Sequence, residues 1–230
     1  MLLALERSGA VASAAVFRQG EGDPVARLEL PAGGRGDAWP LVRDVLAAAR
    51  ASARDLSALA VGTGPGSFSG IRAALALALG IAVPGGLPVY GVLSAAAAVR
   101  AWRARNPDAP RAVLLGDARR GHVWKFEEPA SEAAWGALAH TAADISLLST
   151  PDAEPGDPAP PLREALAGAG AAFTLLVADP ARLAPVLEGA PHEAASADAA
   201  DVGRMALAGL SGPALPVYLH PAVAARKESK

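Results

Sequence analysis

Val61–Gly62–Thr63–Gly64–Pro65–Gly66–Ser67–Phe68–Ser69–Gly70–Ile71–Arg72 decides how this chain is read. The apolar run Leu56–Val61 leads into it and the Ala/Leu run Ala73–Val83 leads out. That order is a strand, a tight turn and a helix. Four glycines and a proline within nine residues exceed the needs of a plain connection. They mark a place where backbone bends sharply or comes very close to other backbone.

Such a turn can cradle phosphate on free N–H groups, or let a helix pack closely on a sheet. The Walker form is absent, because no Lys followed by Ser or Thr comes after the glycines. The dinucleotide-binding spacing is absent too, although Arg72 is placed to meet an anion. The helix that follows favours a third use. Ile71, Leu75, Ala78, Leu79 and Ala82 form one apolar face, and Ala74, Leu77 and Ile81 another. A surface helix carries polar residues on one side, and this one has none after Arg72. It needs cover on both sides, from its own sheet and from something else: a second protein, which the small alanines favour, or the second half of this chain.

Outward from the turn, Leu2–Leu5, Val11–Phe17 and Val25–Leu30 read as strands joined by short turns, an antiparallel meander. Leu41, Val42, Val45, Leu46 and Ala49 then fall at helical spacing behind Pro40. Leu56–Val61 is a strand, Ile71–Val83 a helix and Leu87–Val92 a strand. Ser94 is the expected N-cap of a helix reaching Arg105. Strands separated by helices pair in parallel through right-handed crossovers. Three strands, then alternating helices and strands, is the order of a ribonuclease-H-like half-domain, the unit of actin-like α/β folds.

Asn106–Pro110 reads as a linker. Beyond it, Ala112–Gly116 and His122–Phe126 read as strands around the turn Asp117–Gly121, with a proline-dense loop from Pro151 to Pro161. Phe173–Ala178 is a strand, Ala194–Leu210 a helix, Pro216–Leu219 an extended piece and Arg226–Lys230 a solvated tail. No internal repeat is legible. The expected division is an N-terminal lobe of residues 1–105, joined by 201–230, and a smaller degenerate lobe of residues 106–200.

The 230 residues are 52% hydrophobic but only 4% aromatic, so Ala, Leu and Val must build the core. A net charge of −2 lacks the strongly basic footprint of an autonomous nucleic-acid binder. There is no cysteine, which excludes disulfides, thiolate metal sites and cysteine nucleophiles. Met1–Leu5 is too short for a signal peptide, and every membrane-length apolar stretch is broken by a charge, Pro or Gly, so a cytoplasmic protein without a membrane partner is expected. His122, His140, His192 and His220 never pair at i, i+4, the spacing that puts two imidazoles on one helical face for a metal. Gly66–Ser67–Phe68–Ser69–Gly70 has Phe68 where a nucleophile elbow needs serine.

At Gly64–Pro65–Gly66–Ser67–Phe68–Ser69–Gly70–Ile71–Arg72 the sequence resembles the TsaB (YeaZ) family of bacterial threonylcarbamoyladenosine tRNA modification. Leu3–Ala4–Leu5, Asp117–Ala118–Arg119–Arg120–Gly121–His122–Val123–Trp124 and Pro216–Val217–Tyr218–Leu219–His220 match further family segments in order and distance. The resemblance implies an actin-like, two-lobed fold and a noncatalytic subunit that needs no cofactor. It implies pairing with a catalytic TsaD-like paralogue through the first two helices of each partner, here Pro40–Ala51 and Gly70–Val83. The partner-binding residues expected are Leu41, Val45, Gly64, Pro65, Gly66, Phe68, Gly70, Arg72, Leu75 and Leu79. It also implies a TsaE-like ATPase partner, a homodimer when alone, and contact with tRNA only through the complex.

Two segments depart from the family. Glu6–Arg7–Ser8–Gly9 stands where members carry Asp-Thr-Ser/Ala-Thr, and Gly33–Asp37 stands where many carry a histidine. Arg7 and Gly9 lack the hydroxyls of a phosphate contact, so Glu6, Ser8 and Asp117 are expected to mark a vestigial cleft. The alternative in another class is a small actin-like ATP-dependent phosphotransferase.

Overall fold

The computed structural model describes residues 1–30, 38–149, 173–187 and 190–219. Gly33–Asp37, the Pro151–Pro161 loop and the tail beyond Leu219 lie outside the described residues.

The first lobe is built on β1 (Leu2–Glu6), β2 (Ala12–Phe17) and β3 (Ala26–Leu30), an antiparallel meander. Then come α1 (Ala38–Ala48), β4 (Ala58–Gly62), α2 (Phe68–Ala82), β5 (Val89–Val92) and α3 (Ser94–Arg105). β4 pairs in parallel with β1, and β5 with β4. The second lobe has β6 (Arg111–Arg119), β7 (His122–Glu127), α4 (Glu132–Gly136), β8 (Ser146–Ser149), β9 (Phe173–Val177), α5 (Pro180–Leu187) and β10 (Glu193–Ala194). The chain ends with α6 (Ala199–Leu207), and β11 (Gly212–Pro213) on the edge of the first sheet.

The second sheet repeats the topology of the first. Strand order β3-β2-β1-β4-β5 in one corresponds to β8-β7-β6-β9-β10 in the other, with two antiparallel and two parallel pairings in each. The sequence shows no trace of this duplication, because the pairing pattern is shared while the side chains are not.

Three apolar clusters define the layers. α1 and α2 cover the outer face of the first sheet, with Leu3, Leu5, Val16, Leu59 and Val61 meeting Val42, Val45, Ile71 and Ala78. α3 and α6 lie between the sheets, where Phe17, Val92, Val99 and Met205 meet Leu114, Trp124 and Leu176. α5 covers the outer face of the second sheet through Leu183 and Leu187. The α6 helix is returned to the first lobe by its N-terminus. Asp198 caps the N–H groups of Ala200 and Asp201, and the Ala199 N–H donates to Ser13 Oγ at 2.9 Å.

Several limits differ from expectation. The α1 helix stops at Ala48, short of Ala51, where Arg50 adopts a left-handed φ of 52°. The extended piece near the C-terminus pairs at Gly212–Pro213 rather than over Pro216–Leu219, and α6 spans Ala199–Leu207 only. Ser94 is not an N-cap but the first residue of α3, because its hydroxyl is committed elsewhere.

One arginine holds the joint between lobes. Arg103, in the last turn of α3, donates to the carbonyl oxygens of Asn106, Pro107, Ala109 and Pro110. It also grips both carboxylate oxygens of Glu128 at 2.6 and 2.7 Å. Burial pushes the Glu128 carboxyl up, but Arg103 and the Ala112 N–H outweigh it and hold the group below its ordinary value.

Candidate functional site: an interlobe cleft and an uncovered helix face

β4 delivers the chain into the glycine turn, and the turn is stitched to the β1–β2 connection. The Ser67 N–H donates to the Ser8 carbonyl at 2.7 Å. A Cβ on Gly66 would lie 2.2 Å from the Ser8 carbonyl oxygen, and one on Gly70 would lie 2.2 Å from the Arg7 carbonyl oxygen. Only glycine permits backbone to approach backbone this closely. The Gly64–Pro65 peptide is cis and Pro65 is buried.

Glu6 lies beneath this turn, fully buried. Its carboxylate accepts the Ser8 N–H on one oxygen and the Ser94 hydroxyl, at 2.7 Å, on the other. Ser94 Oγ in turn accepts the Gly64 N–H at 3.0 Å. Burial pushes the Glu6 carboxyl above its ordinary value, against the pull of these hydrogen bonds. This corrects the expectation that Glu6 belongs to the cleft beside Ser8 and Asp117. Its carboxylate braces the turn from below.

The cleft itself has a volume of about 980 Å³ between the lobes. Ser8, Gly9 and Ala10 of the β1–β2 connection line one side, and Asp117 to Arg120 of the β6–β7 connection line the other. Phe68 and Arg72 border it, so both belong to the cleft wall and not to the outer helix face. The Phe68 ring lies 5.3 Å from that of Tyr218, and the Arg72 guanidinium lies 4.9 Å above Phe68. Asp117 pairs with Arg119 at 3.1 Å and Arg182 at 3.4 Å, and Asp179 pairs with Arg182 at 2.8 Å. No cluster of His, Cys, Asp and Glu suited to a metal occurs among the described residues.

The outer face of α2 is the second feature. Ala73, Ala76, Leu79 and Gly80 are exposed there, and Val83 follows them at 76% exposure. Beyond Arg72 this stripe has no polar side chain. A groove of about 590 Å³ runs beside it, lined by Trp39, Leu56, Ala76, Leu77, Gly80 and Ile81 among others. Phe68–Gly85 also matches a membrane span by length and a mean hydropathy of 1.6, although Arg72, Gly80 and Pro84 interrupt it.

Five of the ten expected partner residues, Leu41, Val45, Gly64, Pro65 and Leu75, are buried. Leu41, Val45 and Leu75 are buried in the chain's own core, so they cannot offer surface to another protein. Gly64, Pro65, Gly66 and Gly70 serve the turn. Leu79, at 46% exposure, stands on the outer stripe. The Phe68–Tyr218 contact joins residues too distant in sequence for any local signal.

Two sheets of one topology, facing each other across a cleft and separated by two helices, define an actin-like two-lobed α/β protein. The family model described as TsaD, tRNA N6-adenosine threonylcarbamoyltransferase, matches residues 37–179, more than half of the chain. The TsaB protein of threonylcarbamoyladenosine biosynthesis from Escherichia coli K12 is 39% identical over 89 residues, 38% of each chain. An uncharacterized protein of Mycobacterium tuberculosis is 34% identical over 149 residues, 64% of this chain and 62% of that one. The matches thus span less than two thirds of the length of these relatives. YeaZ from Pseudomonas aeruginosa shares the fold with a TM-score of 0.61 at 23% identity, over 95% of this chain and 99% of that one. A second structure from that organism, of a protein with similarity to peptidase YEAZ, gives 0.63 at 24% identity over the same shares. The chain belongs to the matched TsaD family.

Proposed function

We propose that this chain is a noncatalytic subunit of the machinery that makes N6-threonylcarbamoyladenosine in tRNA. Its work is to bind and support a catalytic TsaD-type paralogue. The observation that carries this reading is the outer stripe of α2. Apolar side chains and small residues form a contiguous face, with Arg72 at its start and Arg54 on the groove beside it, and such a face marks an interaction surface. Ala73, Ala76 and Gly80 allow a partner helix to approach closely, and the Trp39–Ile81 groove receives its larger side chains.

The noncatalytic part of the reading draws support from the carboxylates. Glu6 is spent beneath the glycine turn, while Asp117 and Asp179 are held by arginines. Within this reading, residues 1–105 with 201–230 present the docking face, and residues 106–200 form the second lobe. The complex includes a TsaE-type ATPase, meets tRNA in the cytoplasm, and leaves this chain to pair with itself when its partner is missing.

Leu79→Asp and Gly80→Leu test the proposal, since a Cβ on Gly80 meets nothing within 4 Å in this chain. Each should weaken co-purification with the co-expressed paralogue by about 30-fold or more, the effect of losing a central interface contact of about 2 kcal/mol. The isolated variants should melt like the parent. Undiminished co-purification overturns the reading.

A further inference from the structure

The cleft carries a chemistry that the docking role does not use. Arg72, Arg119, Arg120 and Arg182 line it against Asp117 and Asp179, on a chain whose net charge is −2. Arg72 and Arg120 make no ion pair among the described residues, while the two aspartates are shared between Arg119 and Arg182. The cleft is therefore a positive site on an anionic molecule.

The way Arg120 is held points the same way. Arg119, Arg120 and Gly121 have φ values of 68°, 54° and 73° at the tip of the β6–β7 hairpin. Two-residue hairpin turns of this hand favour Asn-Gly, because side chains other than Gly and Asn resist the left-handed region. An arginine at the first turn position works against local preference. Strain of this kind concentrates where a side chain is needed for binding.

Beside these cations lie two exposed aromatic rings, tilted 40° to each other. Phe68 and Tyr218 are 56% and 47% exposed, with the Arg72 guanidinium over the Phe68 face. Aromatic rings open to solvent beside unpaired arginines are the elements that hold single-stranded nucleic acid, where bases stack and phosphates pair.

We infer that the cleft binds a single strand of RNA, a base stacking at Phe68 and Tyr218 and adjacent phosphodiesters meeting Arg72 and Arg120. The inference rests on the proposed function for its RNA-modifying setting. A magnesium-bound nucleoside triphosphate suits the cleft less well, because such ligands bring a cation that carboxylates must hold. Asp117 and Asp179 already neutralise arginines, and Glu6 is buried away from the cleft. A phosphodiester strand needs no metal.

The test is fluorescence anisotropy of the full chain with a labelled oligoadenylate of about ten nucleotides. Binding is expected to weaken about sevenfold between about 50 and about 200 mM salt, the effect of neutralising two phosphates of a single strand. Phe68→Ala should weaken it about fivefold or more, the loss of one stacked base. Arg120→Asn should weaken it too, while the Asn-Gly turn it creates melts no lower than the parent, so misfolding cannot explain the loss. Absence of binding by the parent chain overturns the inference. So does unchanged binding by both variants, or equal displacement by polyglutamate or by magnesium-ATP. Co-purification with the paralogue is read separately. A parent chain that binds RNA without co-purifying sinks only the docking role, and one that co-purifies without binding RNA sinks only this site.

Discussion

The two lobes share a strand order and even a local device, yet they use it for different ends. In each, a carboxylate in the first strand accepts the N–H two residues on, Glu6 from Ser8 and Asp117 from Arg119. In the first lobe the longer Glu side chain turns under the glycine turn to Ser94 and is fully buried. In the second, the shorter Asp stays at the cleft and meets Arg119 and Arg182. One lobe has turned its acid into a brace, and the other has kept it as part of a charged wall. The connections after the fourth strands differ likewise. Gly64–Gly70 lets α2 approach the β1–β2 connection, whereas Ala178–Asp179 leads into α5 without a glycine. Topology thus fixes where a carboxylate and a turn are placed, while side-chain length and glycine content decide what they do.

The joint between the lobes offers the largest break. Arg103→Ala removes both ion-pair contacts to Glu128 and the tie to the linker carbonyls. Removing one partner of a largely buried pair strands the other, at a cost of about 3–4 kcal/mol. Denaturant unfolding should record that loss, with the lobes unfolding less cooperatively. Acid should mimic it in the parent. The Glu128 carboxyl is held below its ordinary value of 4.5, so the stability it contributes is present above about that pH. It is lost as pH falls through the folded-state value. An unchanged midpoint for Arg103→Ala would show that the linker is held by other contacts.

A smaller change separates the lobes from each other. Gly70→Ala puts a methyl 2.2 Å from the Arg7 carbonyl oxygen, a backbone atom that cannot swing aside. Overpacking of this kind costs about 2–3 kcal/mol. Ala178→Gly at the corresponding connection of the second lobe should cost about 1 kcal/mol or less. Equal losses at the two positions would erase the distinction between a braced turn and an ordinary one.

The first lobe was legible because its signals are local. Alternation in Val25–Leu30, helical spacing from Leu41 to Ala49 and glycines at 62–70 each report on neighbours along the chain. What escaped were relations across the fold. The α2 helix is apolar all round, so periodicity does not say which face its sheet takes, and Leu75, expected at the partner surface, is 5% exposed. Ser94 has the chemistry of an N-cap, but a buried carboxylate from the other end of the lobe claims its hydroxyl. The pairing of Phe68 with Tyr218 and the repeated sheet order leave no mark in any short window of sequence.

Glu6→Gln gives the smallest effect and the sharpest reading of the difference between the two acids. The amide keeps an oxygen for the Ser8 N–H and directs its NH2 toward Ser94 Oγ, which still accepts from Gly64. Stability at neutral pH should therefore stay within about 1 kcal/mol of the parent, since a buried charge is removed while one hydroxyl hydrogen must find a new acceptor. The signature lies in the pH dependence. The folded-state value of Glu6 is raised above 4.5, so the folded form holds its proton longer than the unfolded form. Its contribution is greatest below about that pH and declines as pH rises through the folded-state value. Urea midpoints measured across that range should lose this decline in Glu6→Gln. Asp117→Asn should leave it intact, because Asp117 lies in the charged cleft wall. If the parent shows no such decline, the Glu6 carboxyl ionises as readily as an exposed one, and the brace beneath the glycine turn is not a desolvated acid.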